Sequence, residues 1–378
     1  MGGLLDIADV YKVYGLIAFA VTLIATPLAA FLARRLGIMD FPDQRLKPHA
    51  RPTPYLGGAA VCLGWSAALV FALVAIPDRV DTYVLVPIVL GGVAMSALGL
   101  LDDLHELPPV ARIALGAAVI VLVMVFTGVA DQLATSFLSH LHIRLLPSIT
   151  ISVSFLLGLF IVLGACNSAN LIDGLDGLCA GVTAIISLGF LAIAAYLAIE
   201  QYSREANALR LVMALAMIGA SLGFLPLNFN PAKIFLGDSG SMLLGYNCGI
   251  MILLFDERGQ LRWMLGGLMV FGLPIFDTGL AIIRRWRSGR PIFMGDRSHF
   301  YDQLVDRGMS VRKVVLISYL LAAFYAALGC TVIWLRLRYI IPLYAVVAIA
   351  TAVAIHLTGM ARAEETPANA PTRETPDS

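Results

Sequence analysis

The sequence has little charge, little cysteine and almost no excess of one charge over the other. Only 13% of its 378 residues are Asp, Glu, Lys or Arg, and the formal net charge is +1. Soluble globular proteins carry about 25% charged residues, and a chain this apolar could not bury its hydrophobic surface in water. A soluble enzyme is therefore excluded. The balanced charge excludes a nucleic-acid binder, and five cysteines without a CxxC pair exclude a secreted disulfide scaffold.

Long apolar runs are abundant instead, and the mean hydropathy is +0.86. A helix needs about 20 apolar residues to cross the hydrocarbon core, which is more than a membrane-barrel strand provides. Eleven stretches qualify: about 12–33, 56–76, 83–101, 110–129, 148–166, 178–199, 208–226, 237–255, 262–283, 313–335 and 339–360. The sequence therefore predicts an all-α, polytopic integral membrane protein with 10 or 11 transmembrane helices. We expect a single domain over residues 1–360 and a disordered polar tail over 361–378.

The distribution of Lys and Arg predicts the orientation. With eleven spans, 17 of the 26 basic residues fall on the side of the loops that follow the odd-numbered spans. The side richer in Lys and Arg is the cytoplasmic one. We therefore expect the N-terminus outside, in a multi-pass protein of the inner (plasma) membrane.

Four polar segments fall on the predicted cytoplasmic side: residues 101–106, 167–177, 230–241 and 284–312. The orientation rests on Lys and Arg alone, so the three acidic segments are an independent observation. An ordinary membrane protein has no reason to collect carboxylates at one face only. The pattern predicts a single active site at the cytoplasmic face.

Asn167, Asn170, Asp173 and Asp176 recur every three residues in the second segment. Neighbouring members of this series share a helix face, while Gly174 and Gly177 weaken the helix. We expect a broken helix end with polar side chains around one point. A simple Asn/Asp/Gly turn is the alternative, but four evenly spaced polar side chains exceed what a turn needs.

The remaining acids have distinct expected roles. Asp102 and Asp103 are adjacent, so one can reach a metal while the other meets a proton or substrate. Asp238, at the start of the eighth span, favours an N-cap when taken alone, although it could equally bind a hard cation. Asp277 lies inside the ninth span, where a carboxylate is a functional candidate because it is costly.

Arg297 and His299 lie in a loop crowded with arginine. Such a loop can simply follow the positive-inside rule or meet anionic lipid. Together with the acidic segments, it indicates phosphate binding around a metal ion. Carboxylates for Mg²⁺ and basic groups for phosphate oxygens are what phosphoryl transfer requires. A site at the membrane surface implies one lipid substrate and one charged, water-soluble substrate.

These motifs resemble those of the polyprenyl-phosphate N-acetylhexosamine-1-phosphate transferases, a family of integral membrane enzymes. The resemblance runs from about residue 37 to 308. It is carried by NLIDGLDG at 170–177, FLGDSGS at 235–241, PTPYLGG at 52–58 and the Asp102–Asp103 pair. It implies transfer of a sugar 1-phosphate from a UDP-sugar to polyprenyl phosphate with release of UMP, which initiates a cell-envelope glycan. Mg²⁺ is the implied cofactor, with Mn²⁺ as the alternative, and a homodimer is left open.

The resemblance also implies roles for individual residues. Asp238, with Asp173, would bind the metal, and Asp102 or Asp103 would deprotonate or position the lipid phosphate. Asp173 and Asp176 complete the catalytic set. The substrate-binding set is Asn167, Asn170, Phe235 (against the uracil), Asp277, Arg297 and His299 (at the diphosphate or sugar). Attack by the lipid phosphate could be direct or could proceed through an enzyme carboxylate.

One departure bears on the donor. Where the family commonly has HxHH or HHH, this chain reads His299-Phe300-Tyr301-Asp302. The missing histidines favour UDP-GlcNAc over a MurNAc-pentapeptide donor. The competing hypotheses are a multi-span transporter and an inactive homologue that binds lipid or nucleotide. A transporter would place ionisable residues near the bilayer midplane, whereas here they collect at one face. The complete acidic set argues against an inactive homologue.

Overall fold

The computed structural model describes residues 2–41, 52–140, 143, 146–200, 204–256, 260–287, 289 and 299–360. The described chain forms fourteen helices and one pair of two-residue antiparallel strands. The elements are α1 (Gly2–Leu36), β1 (Met39–Asp40), β2 (Thr53–Pro54), α2 (Gly57–Ala75), α3 (Thr82–His105), α4 (Pro109–Thr127), α5 (Leu133–His140), α6 (Pro147–Leu171), α7 (Leu178–Ile199), α8 (Arg204–Asn228), α9 (Gly237–Leu254), α10 (Leu261–Val270), α11 (Gly272–Arg287), α12 (Phe300–Asp306), α13 (Val311–Val332) and α14 (Leu337–Leu357). The predicted all-α membrane fold is confirmed, whereas the predicted tail at 361–378 lies outside the described residues.

Two of the predicted membrane spans differ in form from a single long apolar helix. Within the described ranges, nine helices are long and apolar enough to cross a membrane, and α10 with α11 can form a tenth. The predicted ninth span is not one continuous helix, because α10 and α11 meet at an angle of 70°. The predicted eighth span is helical, as α9, but its Gly, Ser and Asn residues make it less apolar than the nine.

Local sequence signals set several helix ends. Asp81 caps α3, because its side chain accepts a hydrogen bond from the Tyr83 N–H at 2.9 Å. Pro109 and Pro147 begin α4 and α6, where a missing N–H costs nothing. Gly128 ends α4 in the left-handed conformation that favours glycine.

Helix α9 lies at the centre of the bundle, in contact with α2, α3, α6, α7, α8 and α10. Every one of its residues except Asp238 is buried. Its polar side chains therefore meet protein instead of lipid, which is the arrangement that a membrane tolerates. Close approach depends on small residues, since a Cβ at Gly58 would lie 2.2 Å from the backbone nitrogen of Gly240.

The far end of α9 is held by Arg210 of α8. This buried arginine donates from Nε and Nη2 to the carbonyl oxygen of Leu254, at 2.8 and 2.5 Å. The carbonyl groups of the last turn of a helix lack intrahelical donors, so Arg210 supplies what the backbone cannot. By contrast, α14 buries only Ile340 and Val347 and exposes most of its apolar side chains, as expected of an outer, lipid-facing helix.

Candidate active site

The start of α9 is held by Asp103 from the last turn of α3. Its two carboxylate oxygens accept hydrogen bonds from the N–H groups of Asp238, at 2.9 Å, and Ser239, at 3.2 Å. Gly237 has φ +72°, and a Cβ there would lie 2.7 Å from Oδ2 of Asp103. A carboxylate at this position satisfies two unpaired N–H groups and lies at the positive end of the helix dipole. Asp103 therefore joins two of the acidic segments.

The N-cap interpretation of Asp238 is wrong. The N-cap of α9 is Leu236, and no side chain of α9 caps the helix, because Asp103 satisfies the first N–H groups from outside. The Asp238 carboxylate instead accepts a hydrogen bond from Asn170 Nδ2 at 2.6 Å. It also forms an ion pair with Arg112 Nη1 at 3.2 Å. Asp238 thus connects α9 with α4 and α6.

Asp102 has different hydrogen-bond partners from Asp103. One of its oxygens accepts from the N–H of Leu107 at 2.8 Å, and the other pairs with Arg112 Nη1 at 2.8 Å. Arg112 therefore bridges Asp102 and Asp238 with one nitrogen atom. Its positive charge offsets the charges of these two carboxylates.

The polar motif at 167–177 forms the end of α6 and the turn that precedes α7, so the structure contains the expected break in the helix. Asp176 accepts hydrogen bonds from Asn230 Nδ2 and from the Ala232 N–H, both at 2.9 Å. Asn167 instead donates to the carbonyl of Leu163 in its own helix, at 2.8 Å. The turn is therefore fastened to the segment that leads into α9.

Electrostatic interactions link the three acidic segments. Burial, and then the charges of Asp238, Asp103 and Asp176, raise the pKa of Asp173 well above its usual range. Burial and the Asp103, Asp238 and Asp173 carboxylates likewise raise the pKa of Tyr55, which precedes α2. Tyr55 therefore stays a neutral phenol among these acids.

A cavity of about 630 Å³ opens onto the cluster. Its polar lining residues include Tyr55, Asp102, Asp103, Arg112 and Asp238, and its apolar ones include Ile38, Met39, Phe41 and Leu107. Charged groups and apolar side chains thus border the same space. A cavity of this volume and mixed lining can accept a small-molecule substrate or part of one.

His299 begins the short helix α12 and is buried. Its Nδ1 lies 2.7 Å from Oδ2 of Asp277, whose Oδ1 accepts from the Phe300 N–H at 3.1 Å. The structure thus brings Asp277 and His299 together. Arg297, the other candidate in this loop, lies outside the described residues.

Phe235 lies beside the cluster, just before α9. Its N–H donates to the carbonyl of Pro54 at 2.9 Å, and its ring meets the Tyr55 ring edge-on with centroids 6.4 Å apart. The ring is half-buried, next to residues that border the cavity. Its contact with uracil stays a prediction.

Three residues of the site were not among the candidates predicted from the sequence: Arg112, Tyr55 and Tyr301. Arg112 is a basic residue in the first turn of α4, ten positions after Asp102, which is the one sequence signal it offers. Tyr55 belongs to the PTPYLGG motif, but the motif does not indicate that its ring reaches the acids. Tyr301 donates to the carbonyl of Leu171 at 2.6 Å, which joins α12 to α6.

The donor set fits Mg²⁺ that is completed by a substrate. Among the residues that the structure describes, no three Asp, Glu, His or Cys side chains converge as a ready metal site. Mg²⁺ is usually held by one or two carboxylates, water and substrate phosphates, so it needs no such cage. Burial and then the neighbouring carboxylates raise the pKa of Asp173, and a divalent cation would relieve the repulsion among these carboxylates.

Fold and site together define a membrane-embedded enzyme, and the comparisons with known proteins name its class. Residues 85–256 match the glycosyl transferase family 4 profile. A probable undecaprenyl-phosphate N-acetylglucosaminyl 1-phosphate transferase of Bacillus subtilis is 33% identical over 330 residues, covering 85% of this chain and 86% of that protein. The chain therefore belongs to glycosyl transferase family 4, and it is a phospho-sugar transferase.

Two further relatives have related names. A decaprenyl-phosphate N-acetylglucosaminephosphotransferase of Mycobacterium tuberculosis is 33% identical, over 83% of this chain and 81% of that protein. A phospho-N-acetylmuramoyl-pentapeptide-transferase of Desulforamulus reducens is 31% identical, over 83% of this chain and 92% of its own length. The resemblance to the polyprenyl-phosphate N-acetylhexosamine-1-phosphate transferases is thereby confirmed.

Proposed function

We propose that this protein transfers GlcNAc 1-phosphate from UDP-GlcNAc to undecaprenyl phosphate. An oxygen of the lipid phosphate bonds to the β-phosphorus of the nucleotide sugar. The bond from that phosphorus to the bridging oxygen breaks, and UMP leaves with the oxygen. The product, a lipid diphosphate sugar, would start a cell-envelope glycan. The relatives named as GlcNAc transferases support the donor, and the arrangement of Arg112 between Asp102 and Asp238 supports the chemistry.

Asp238 and Asp173 would hold Mg²⁺, which when bound supplies neutralising charge for the diphosphate and the leaving UMP. Asp103 holds the start of α9 and so positions Asp238. Arg112 is available to bind the acceptor phosphate through charge-assisted hydrogen bonds. A phosphate bound there lies next to Asp102, which we assign as the group that accepts its proton.

Asn170 orients the Asp238 carboxylate, and Asp176 fastens the turn to the segment before α9. Phe235 is assigned to the uracil, and His299 to the diphosphate or sugar. We place this site at the cytoplasmic face of the inner membrane, with the N-terminus outside. The excess of Lys and Arg in the loops on the predicted cytoplasmic side supports this orientation.

The test uses purified protein in detergent with undecaprenyl phosphate and Mg²⁺. Radiolabelled UDP-GlcNAc, UDP-MurNAc-pentapeptide and UDP-GalNAc are supplied separately, while UMP and lipid-extractable label are measured. We expect label in lipid only from UDP-GlcNAc, one UMP per transfer, and no transfer in EDTA. Label only from UDP-MurNAc-pentapeptide would overturn the donor, and no transfer from any donor would overturn the reaction.

The Asp238→Ala variant tests the metal assignment. Losing a ligand removes several kcal/mol of stabilisation of the transition state, which lowers turnover by about 10²–10³-fold. Asp9→Asn is the matched control, because Asp9 is an exposed carboxylate that pairs with Lys12. Wild-type turnover in a folded Asp238→Ala protein would remove Asp238 from the site.

A further inference from the structure

Asp277 and His299 form a buried pair that joins two separate elements. Asp277 lies on α11 and His299 at the start of α12, and both residues are only 4% exposed. The Asp277 carboxylate makes two hydrogen bonds, one with the His299 imidazole at 2.7 Å and one with the N–H of Phe300 at 3.1 Å. Asp277 therefore restrains both the ring and the backbone that carries it.

Tyr301 supplies a second restraint, from a different direction. Its ring is stacked on the His299 ring, with centroids 5.4 Å apart and planes inclined by 7°. Its hydroxyl donates to the carbonyl of Leu171, the last residue of α6. Burial and nearby carboxylates raise the pKa of Tyr301, so the hydroxyl remains a donor. The imidazole is thus held at its edge by Asp277 and on its face by Tyr301.

The other end of this arrangement reaches the motif at 167–177. Leu171 lies between Asn170, which binds Asp238, and Asp173. Thr278, next to Asp277, bonds through its hydroxyl to Ser168 at 2.9 Å. Two hydrogen bonds therefore connect the His299 pair to the helix end that carries the site.

We propose that Asp277 is a positioning residue that acts through His299. Both of its oxygens are engaged by protein groups, and Nδ1 of His299 is committed to it. Any bond from His299 to the substrate is then made through Nε2. The inference rests on the proposed transfer reaction.

A double-mutant cycle tests the assignment after transfer by the wild-type protein has been established. We expect Asp277→Asn to lower kcat/KM by about tenfold or more, as loss of a partner that orients a ligand side chain typically does. His299→Ala should lower it further, and the double variant should match His299→Ala within about twofold. Gly279→Ala is the control on the same helix, because a Cβ there would meet nothing within 4 Å. An equal loss from Asp277→Asn in both backgrounds would overturn the proposal.

Activity restored by added imidazole distinguishes a positioning role of Asp277 from a purely structural one. It should restore more activity to His299→Ala than to the double variant, because only the former retains the carboxylate that orients the ring. Equal restoration in both would contradict the positioning role.

A second test uses the wild-type protein, so it does not depend on whether the variants fold. Nitrogen NMR of ¹⁵N-histidine protein, assigned with His299→Gln, should show a protonated Nδ1 at His299. An unprotonated Nδ1 at His299 would overturn the proposal, whether or not the protein catalyses the transfer.

Discussion

The main-chain carbonyl of Asp238 lies against the Cα of Gly99. A Cβ at position 99 would be only 2.3 Å from that carbonyl oxygen. Helices α3 and α9 therefore touch backbone to backbone beside the acidic residues that each one contributes. Ser96, one turn earlier on α3, bonds to Ser239 through its hydroxyl at 2.9 Å. The distance between the two acidic segments depends on the absence of a side chain at position 99.

Gly99→Ala should lower turnover by roughly 10²-fold, since a displacement of about 1 Å in a reacting group can cost that much. The protein should still fold, because the change adds only one methyl group. Initial rates of transfer and size-exclusion chromatography measure both. Gly164→Ala is the control, because a Cβ at Gly164 would meet nothing within 4 Å. Wild-type rates in Gly99→Ala would show that α9 can shift without affecting the chemistry.

Arg112→Gln should lower transfer and at the same time lower the Mg²⁺ concentration needed for half-maximal activity. The guanidinium pairs with Asp238, so it competes with a cation for that carboxylate. The acceptor phosphate also loses its cationic partner, which should raise KM for undecaprenyl phosphate. Titrations of Mg²⁺ and of lipid separate the two effects. Arg336→Gln, at an exposed position, is the control. An unchanged or higher Mg²⁺ requirement would contradict the competition.

Asp173→Asn should abolish transfer and stabilise the metal-free protein. The raised pKa of Asp173 means that the folded state favours the neutral carboxyl. Its contribution to stability is present at low pH and is lost as the pH rises toward the folded-state pKa. In EDTA, the thermal midpoint of the variant should exceed that of the wild type at pH 8, and the difference should shrink at pH 5. A variant less stable than the wild type at pH 8 would refute this account.

Arg210→Met should destabilise the protein without a direct effect on catalysis. The carbonyl of Leu254 loses both donors in a buried setting, which costs roughly 1–3 kcal/mol. The variant should lose activity faster on heating, while its initial rate per folded molecule stays near that of the wild type. Arg336→Met controls for the loss of a surface charge. Equal thermal inactivation of wild type and Arg210→Met would show that the C-terminal end of α9 does not need this arginine.

Much of the helical framework could be predicted from the sequence because lipid leaves the backbone few choices. A spanning segment must satisfy its own N–H and C=O groups, so a run of about 20 apolar residues becomes a helix. The break after Leu171 was also predictable, since Gly174 and Gly177 interrupt a polar helical repeat. Both signals are local in the chain.

What the sequence did not reveal depends on partners distant in the chain. Asp238 has the residue type and position of an N-cap, yet Asp103, 135 residues away, takes that role. Arg112 gains its meaning only when α4 meets α9. The bend between α10 and α11 is likewise hidden, because residues 262–283 read as one apolar run. Side-chain type and spacing indicate what a residue can do, whereas packing decides which of its options it uses.

The enclosure of α9 has a consequence for how the protein is made. A segment that carries Asp238 and Asn247 among glycines and serines enters lipid poorly by itself, because polar residues at the centre of a helix oppose insertion. Its neighbours include helices synthesised both before and after it. We expect α9 to enter the lipid bilayer only together with those neighbouring helices. The acidic cluster would then form late in biogenesis, after the surrounding bundle has closed around it.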